Sequence, residues 1–168
     1  MVVYRARAAT PDDADAIARI YNEGIADRLG TFETRARTPD DVRRWFDNRH
    51  PIVVVELDDG TIAAFASTSA YRPRDVYAGI AEYSVYVTRH LRGHGAGRIA
   101  MVALIDAARD AGFWKLVSRV FVENTASRRL MASLGFREVG IYEKHARLDG
   151  HWRDVVIVER LVPENQSE

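Results

Sequence analysis

Apolar residues recur along the chain with two different spacings, and each spacing predicts one kind of element. From Val2 to Ala8 apolar and basic residues alternate, which predicts a strand. From Ile17 to Ile25 apolar residues recur every three or four positions, which predicts an amphipathic helix. Thr10–Asp13 precedes this helix and has the features of a helix start, with an N-cap threonine, a proline at the first helical position and acidic residues in the first turn.

The same rules predict the remaining elements and their order. The next helix begins with a second Thr-Pro-Asp-Asp sequence at Thr38, and we expect it to run through Trp45 and Phe46 and to stop near Pro51. Further elements are predicted for strands at Ile52–Leu57, Thr61–Ser69, Ile80–Val87, Leu116–Val122, Phe136–Tyr142 and Trp152–Leu161, and for helices at Ile99–Ala111 and Asn124–Leu134. The order β-α-α-β-β-β-α-β-α-β-β predicts an α/β (α+β) fold in which helices cover a mixed sheet.

Length and composition narrow the class of protein. The chain has 168 residues, and we expect residues 1–162 to form a single domain and residues 163–168 a flexible polar tail. It contains no cysteine, which excludes disulfides, thiolate nucleophiles and cysteine-based metal sites.

Basic and acidic residues balance at 24 each, so no net charge attracts nucleic acid or an anionic membrane. No apolar run approaches the roughly 20 residues that span a bilayer, and we expect a cytoplasmic protein. No histidine pair has metal-ligand spacing with an acid beside it, so we expect no metal.

Gly93, Gly95 and Gly97 form a glycine-dense loop between a predicted strand and a predicted helix. A helix N-terminus leaves about four N–H groups unpaired, and glycine lets an anionic group approach them, so the loop suits a phosphate or pyrophosphate. The Walker motif is excluded, because Gly97 is followed by Arg98 and Ile99. The G-x-G-x-G spacing past mid-chain also differs from the dinucleotide-binding fingerprint. Another pyrophosphate ligand remains possible, and so does a glycine-rich turn that merely ends a strand.

The surroundings of this loop resemble a known superfamily. The sequence R-x-x-G-x-G at Arg92–Gly97, between a strand and a helix, resembles the acetyl-CoA loop of the GCN5-related N-acetyltransferase (GNAT) superfamily. Glu123–Ser127 and Leu134–Phe136 resemble its second signature, and the order of elements is similar. The resemblance implies a mixed, mostly antiparallel central sheet flanked by helices, and acetyl-CoA as co-substrate.

Three further segments resemble one branch of the superfamily, the phosphinothricin and methionine sulfoximine N-acetyltransferases. They are Ile20–Asn22, Glu82–Val87 and Gly150–Val155. The branch implies acetyl transfer to the α-amino group of a small amino acid, by direct attack of the amine on the thioester. It also implies a homodimer.

The resemblance further implies which residues bind acetyl-CoA. Backbone groups at the end of the strand before the loop would face the thioester and pantetheine, at Val85, Tyr86 and Val87. Backbone N–H groups of the loop would hold the pyrophosphate, at Gly93, His94, Gly95, Ala96, Gly97 and Arg98. Positive charge would be added by Arg89, Arg92 and Arg98. Asn124 would hydrogen-bond the pantetheine arm, and Ser127 lies about one helical turn further on.

Glu82 is the candidate general base, because amide formation needs a group that accepts the proton of the amine. It matches the acid of the branch's Glu-x-Ser-Val-Tyr-Val pattern; alternatively, it is a solvated or salt-bridged strand acid. Odd spacing puts Val85 on the opposite face of a regular strand, unless a bulge intervenes. Met131 occupies the position at which many superfamily members have a tyrosine general acid. The thiolate would then either take its proton from solvent or leave without a general acid, and the acid stays unassigned.

An amino acid acceptor needs cations for its anionic groups. Arg72 and Arg74 are the candidates, with Tyr71 as an aromatic wall and with Phe32 and Glu33 on the loop between the first two helices. The arginines could instead be solvated loop residues. Two other functions stay open: acetylation of a protein N-terminus or lysine, and a catalytically silent acyl-CoA-binding module.

Overall fold

The computed structural model describes all 168 residues, and the predicted order of elements is confirmed. The strands are Tyr4–Ala8 (β1), Ile52–Leu57 (β2), Ile62–Ala70 (β3), Ile80–Val87 (β4), Lys115–Phe121 (β5), Arg137–Leu148 (β6) and His151–Leu161 (β7). The helices are Ala14–Ala26 (α1), Pro39–Arg43 (α2), Ala96–Asp110 (α3) and Thr125–Ser133 (α4). None of the helices has the length and apolar character needed to cross a membrane.

Two predicted boundaries are wrong. Helix α2 ends at Arg43 because the chain then makes short-range turns, in which the Trp45 amide donates to the Val42 carbonyl and the Phe46 amide to the Arg43 carbonyl. The two aromatic side chains pack against the core from this turn rather than from a helix. Strand β6 continues beyond Tyr142 to Leu148. The prediction ended too early because the pairing with β7 shifts register between Tyr142 and Ala146, which interrupts the regular alternation of side chains.

The seven strands form one sheet in the order β1-β2-β3-β4-β5-β7-β6, and every neighbouring pair is antiparallel except β4 and β5. These two strands pair only from Ile80–Lys115 to Glu82–Val117. Beyond that point β4 keeps its pairs with β3 as far as Val87, while β5 keeps its pairs with β7 as far as Phe121. Each strand therefore stays with its own half of the sheet, and a gap opens between them.

A tight contact joins the chain segments that precede β4 and β5, at the end where the two strands are paired. The Trp114 amide donates to the Gly79 carbonyl at 2.8 Å, just before the two strands begin. A Cβ atom at Gly79 would lie 1.9 Å from Cε3 of the Trp114 ring, so only glycine allows the ring to lie there. The sequence thus fixes the end at which β4 and β5 stay together.

Helices cover both faces of the sheet. On one face, α3 packs Ala100, Met101 and Leu104 into a core of 19 buried residues. On the other face, α1 packs Ile17 and Ile20 into a second core of nine. Burial of each large aliphatic side chain contributes about 1.5–3 kcal/mol.

The residues after β7 also contact the domain. Pro163–Asn165 forms a short 3-10 helix. The Asn165 side-chain amide donates to the carbonyl oxygens of Arg109 and Phe113, at 2.8 Å each.

Candidate active site

The gap between β4 and β5 is a cleft of about 510 Å³. Its walls come from the end of β4, the glycine loop, the middle of β5 and the start of α4. Most of the expected cofactor residues line it, namely Val85, Tyr86, Val87, Arg92, Gly93, Gly95, Gly97, Arg98, Asn124 and Ser127. The other two have side chains that point elsewhere: Ala96 is fully buried, and the His94 ring lies 2.9 Å from the Arg92 carbonyl oxygen. Both can still contribute backbone groups.

The glycine loop ends in a helix N-terminus that is open to the cleft. Gly95 is the N-cap residue of α3 with φ +94°, and Gly93 has φ +79°, a left-handed conformation that residues with a Cβ adopt at a cost. The first backbone bond of the helix runs from the Ile99 amide to the Gly95 carbonyl. The amides just before Ile99 therefore have no acceptor within the helix. No protein atom lies within 4 Å of an ideal Cβ at Gly93 or Gly95, so the space beside this backbone is open.

The third glycine of the loop packs closely against the end of β4. A Cβ at Gly97 would lie 3.3 Å from Cγ2 of Val87. This closeness brings the helix N-terminus against the end of β4. The chain thus presents the β4 backbone and the helix amides to the same cleft, which suits a long ligand with a phosphate at one end.

Asp27, at the end of α1, binds two of the arginines that were expected to screen phosphate charge. Its carboxylate accepts from Arg89 Nε at 2.8 Å and from Arg92 Nη1 at 2.7 Å. These guanidinium groups lower the pKa of Asp27 to about 2. One negative charge thus offsets part of the positive charge at the mouth of the cleft, while Arg98 donates to Ser133 Oγ at 2.8 Å on the other side.

Asn124 has two partners within the chain. Its Oδ1 accepts from the Ser127 amide at 3.1 Å, which caps α4, and its Nδ2 donates to the Leu29 carbonyl at 3.3 Å. The residue therefore links the start of α4 to the loop after α1 across the cleft. This capping role accompanies any role toward a ligand.

A second, smaller pocket of about 310 Å³ adjoins the cleft and contains Glu82. Its lining is mostly polar and aromatic, and consists of Tyr71, Arg72, Glu82, Val117, Ser118, Arg119, Tyr142 and Ile157. Ser118 and Arg119 also line the cleft, so the two spaces meet at these residues. Sequence patterns alone pointed to neither Arg119 nor Tyr142.

Glu82 and Arg119 form an ion pair, with Oε1 and Nη2 2.7 Å apart. The parallel register pairs Glu82 with Val117, and side chains two residues apart share a face, so Arg119 comes to the same side. Strand β4 pairs one-to-one with β3 without a bulge, and Val85 accordingly packs with the α3 core, on the face opposite Glu82.

Three expected acceptor residues lie outside this pocket. Arg74 is the residue before a short 3-10 helix at Asp75–Tyr77. Phe32 packs its ring 5.1 Å from the Phe121 ring, in a small apolar cluster, and Glu33 forms an ion pair with Arg37 at 2.8 Å. Of the predicted acceptor set, the structure brings together Tyr71 and Arg72 with Glu82.

Two further expectations concern Met131 and a metal site. Met131 is fully buried in the α3 core, where a thioether offers no proton. No group of three His, Asp or Glu side chains has an arrangement that could hold a metal ion.

Comparisons with known proteins agree with this geometry. The Acetyltransferase (GNAT) family model matches residues 17–136. Phosphinothricin N-acetyltransferase of Streptomyces coelicolor is 30% identical over 161 residues, 92% of this chain and 94% of the relative. The L-methionine sulfoximine/L-methionine sulfone acetyltransferase of Salmonella typhimurium is 30% identical over 165 residues, 96% of each chain. The solved structure of YncA from Salmonella typhimurium with its cofactor acetyl-CoA superposes with a TM-score of 0.91 and 29% identity, covering 98% of this chain and 96% of that one. This chain therefore belongs to the acetyltransferase (GNAT) family and is an acetyl-CoA-dependent N-acetyltransferase, as the resemblance of its glycine loop and neighbouring signatures implies.

Proposed function

We propose that the enzyme transfers the acetyl group to the α-amino nitrogen of a small amino acid that carries a polar tetrahedral side-chain group, such as methionine sulfoximine or phosphinothricin. The observation that carries this proposal is the small charged pocket around Glu82, which meets the β4–β5 cleft at Ser118 and Arg119. The names of the two curated relatives support the same class of acceptor.

The cleft fits acetyl-CoA in shape and chemistry. Amides at the N-terminus of α3 would hold the pyrophosphate, because glycines at 93 and 95 leave the space beside them open. The splayed backbone of Val85–Val87 would bond the pantetheine arm, and Asn124 would bond it from the opposite wall. The thioester would then lie near the point where β4 and β5 separate. Acetyl-CoA supplies an activated acyl group there.

Glu82 is the group we assign as the general base. Its side chain is 29% exposed and lies in the acceptor pocket, so an incoming amine or a bridging water can reach the carboxylate. A free amino acid arrives as an ammonium ion, which attacks only after losing a proton. Glu82 accepts that proton, and the neutral nitrogen then bonds to the thioester carbonyl carbon.

The charges of the pocket match the acceptor. Arg72 and Arg119 provide two cations, and Glu82 provides one anion. Phosphinothricin carries two anionic groups and one ammonium group, so each charge has an opposite partner in the pocket. Tyr71 supports this arrangement from the side, with its ring centroid 5.0 Å from the Arg72 guanidinium carbon.

We also propose a homodimer, which rests on the branch resemblance and on one feature of the surface. Strand β6 is the free edge of the sheet opposite β1, and its first nine residues are exposed. Val139 and Ile141 are about half exposed there, and Trp152 on the neighbouring strand is exposed as well. A long edge strand with exposed apolar side chains is typical of a surface that pairs with another chain.

Thiol release from acetyl-CoA tests the function. The wild-type enzyme and Glu82→Gln would be assayed with methionine sulfoximine, phosphinothricin, common amino acids and a peptide mixture. We expect turnover of the first two, and a loss in Glu82→Gln of about 10²-fold or more in kcat, with a nearly unchanged KM for acetyl-CoA.

Glu138→Gln is the matched control, because Glu138 is an ion-paired strand carboxylate, 2.9 Å from Arg128, that lines neither space. We expect it to behave as wild type. Turnover of peptides alone would overturn the acceptor, and equal rates for Glu82→Gln and wild type would overturn the assignment of the base.

A further inference from the structure

Arg119 is the one cation whose side chain belongs to both the acetyl-CoA cleft and the pocket around Glu82, and neither the family match nor the sequence motifs point to it. It projects from the middle of β5, beside the point where β4 and β5 separate. Its side chain is 47% exposed and has Glu82 as its only ion-pair partner. Several of its donors are therefore free for a ligand.

The covalent structure of an amino acid decides which cation its carboxylate can reach. The carboxylate carbon and the amine nitrogen are attached to the same Cα atom, so the two groups lie within about 3 Å of each other. Because the nitrogen must reach the thioester at the strand separation, the carboxylate must bind at the junction of the two spaces. Arg119 lies at that junction, whereas Arg72 lines only the outer pocket.

On the basis of the proposed function, we infer that Arg119 binds the α-carboxylate of the acceptor and makes the enzyme selective for amino acids over simple amines. Arg72 is left to bind the tetrahedral group of the acceptor side chain. The planar guanidinium can bond a carboxylate through two parallel N–H groups, which fixes the orientation of Cα as well as its position.

This binding also changes the surroundings of Glu82. In the free enzyme, Glu82 is the partner of Arg119, and an arriving carboxylate competes for the same guanidinium. Glu82 is then available to the ammonium group of the same molecule. It takes one proton, the nitrogen bonds to the carbonyl carbon, and the carbon–sulfur bond breaks. The nitrogen loses its second proton to solvent, and the sulfur takes a proton from solvent. With the proton held by Glu82 returned to water, one proton is released overall.

A purely structural role explains Arg119 less well. An ion pair with one half-exposed partner contributes little to the stability of a domain. The Arg119 side chain bonds only Glu82, whereas Arg7, for example, bonds both Asp13 and Glu56. Replacement of Arg119 should therefore leave the fold intact.

The test compares methionine sulfone with 3-(methylsulfonyl)propylamine, which is the same molecule without its carboxylate. Thiol release is measured for wild type, Arg119→Gln and Arg119→Lys, and calorimetry gives the Kd of methionine sulfone in the presence of coenzyme A. Arg137→Gln is the matched control, since Arg137 is a strand arginine 3.0 Å from Glu159 and lines neither space.

We expect Arg119→Gln to raise both the KM and the Kd for methionine sulfone by about 10- to 100-fold, the range for a lost charge-assisted hydrogen bond. The KM for acetyl-CoA should change by less than about threefold, and the preference for methionine sulfone over the amine, taken as the ratio of their kcat/KM values, should fall by at least about 10-fold. Arg119→Lys should recover part of the loss, because lysine keeps the charge but not the two-pronged geometry. Arg137→Gln should match wild type, and unfolding curves of all the variants should coincide.

Two failures are distinguishable. A wild type that prefers the amino acid, together with an Arg119→Gln variant that keeps this preference, overturns the role of Arg119 and leaves the proposed function standing. A wild type that acetylates the amine better than the amino acid, or neither compound, overturns both. If Arg119→Gln unfolds, Arg119→Lys decides, and an unchanged preference in that variant overturns the inference.

Discussion

Replacement of Gly95 by alanine should separate the ligand-binding role of the glycine loop from its role in folding. Gly95 has φ +94°, and nothing lies within 4 Å of an ideal Cβ there, so alanine meets backbone strain but no clash. A residue with a Cβ pays roughly 1–2 kcal/mol in the left-handed region. For a domain of this size each kcal/mol lowers the Tm by about 2–4 °C, and the expected loss is therefore about 2–8 °C.

Gly95→Ala should also weaken the binding of acetyl-CoA. Relaxation of the strained residue would move the amides that follow it, at the start of α3. Loss of a single hydrogen bond to a charged group costs about 1.5–3 kcal/mol, and so we expect the Kd for acetyl-CoA to rise roughly 10- to 100-fold. Calorimetric titration with acetyl-CoA measures this, beside thermal unfolding of the same samples.

Gly60 provides the matched control. It has φ +84° in the turn between β2 and β3, again with nothing within 4 Å of an added Cβ. Gly60→Ala should therefore lose a similar amount of stability and bind acetyl-CoA as wild type does. Wild-type affinity in Gly95→Ala, or an equally large loss of affinity in Gly60→Ala, would contradict the role of the glycine loop in binding acetyl-CoA.

Two other predictions concern charge and assembly. Arg89 and Arg92 lower the pKa of Asp27 to about 2, below its usual value of 3.8. The ion pairs of Asp27 therefore stabilise the fold fully above about pH 4, and this stabilisation is lost as the pH falls through about 2. The difference in the free energy of unfolding between wild type and Asp27→Asn should thus be constant at neutral pH and shrink between roughly pH 4 and 2; a difference that persists at the lower end contradicts the ion-pair assignment. Ile141→Glu, on the exposed edge strand β6, should convert the proposed dimer to a folded monomer in size-exclusion chromatography with light scattering, and a monomeric wild type would contradict the dimer.

Much of the fold could be predicted because its causes are local. The alternation in Ile80–Val87 and the helical spacing in Ile17–Ile25 each depend on neighbours within a few residues, and the structure has a strand and a helix at these places. The two wrong boundaries, those of α2 and β6, come from interruptions that the spacing of apolar residues does not show. Turns after Arg43 end α2 early, and a register shift after Tyr142 conceals the continuation of β6.

The residues of the candidate site could likewise be predicted only where they belong to a local motif. A glycine-rich loop before a helix is a short, continuous motif, so the open helix N-terminus at one end of the cleft, which we propose to bind the pyrophosphate, could be predicted from residues 92–98. The acceptor pocket could be predicted only in part. Arg74 follows Arg72 by two residues yet does not line the pocket, and two arginines so close in sequence cannot be told apart by a local pattern.

Short stretches of the chain were enough to predict the order of the elements, the glycine loop and the family, because periodicity and contiguous motifs are local. Which charges meet depends on the folded protein. Glu82 and Arg119 are 37 residues apart, and Asp27 and Arg92 are 65 apart. No local pattern links such pairs. They meet because strand register and helix packing, which depend on the burial of the whole core, bring distant side chains to the same edge of the cleft.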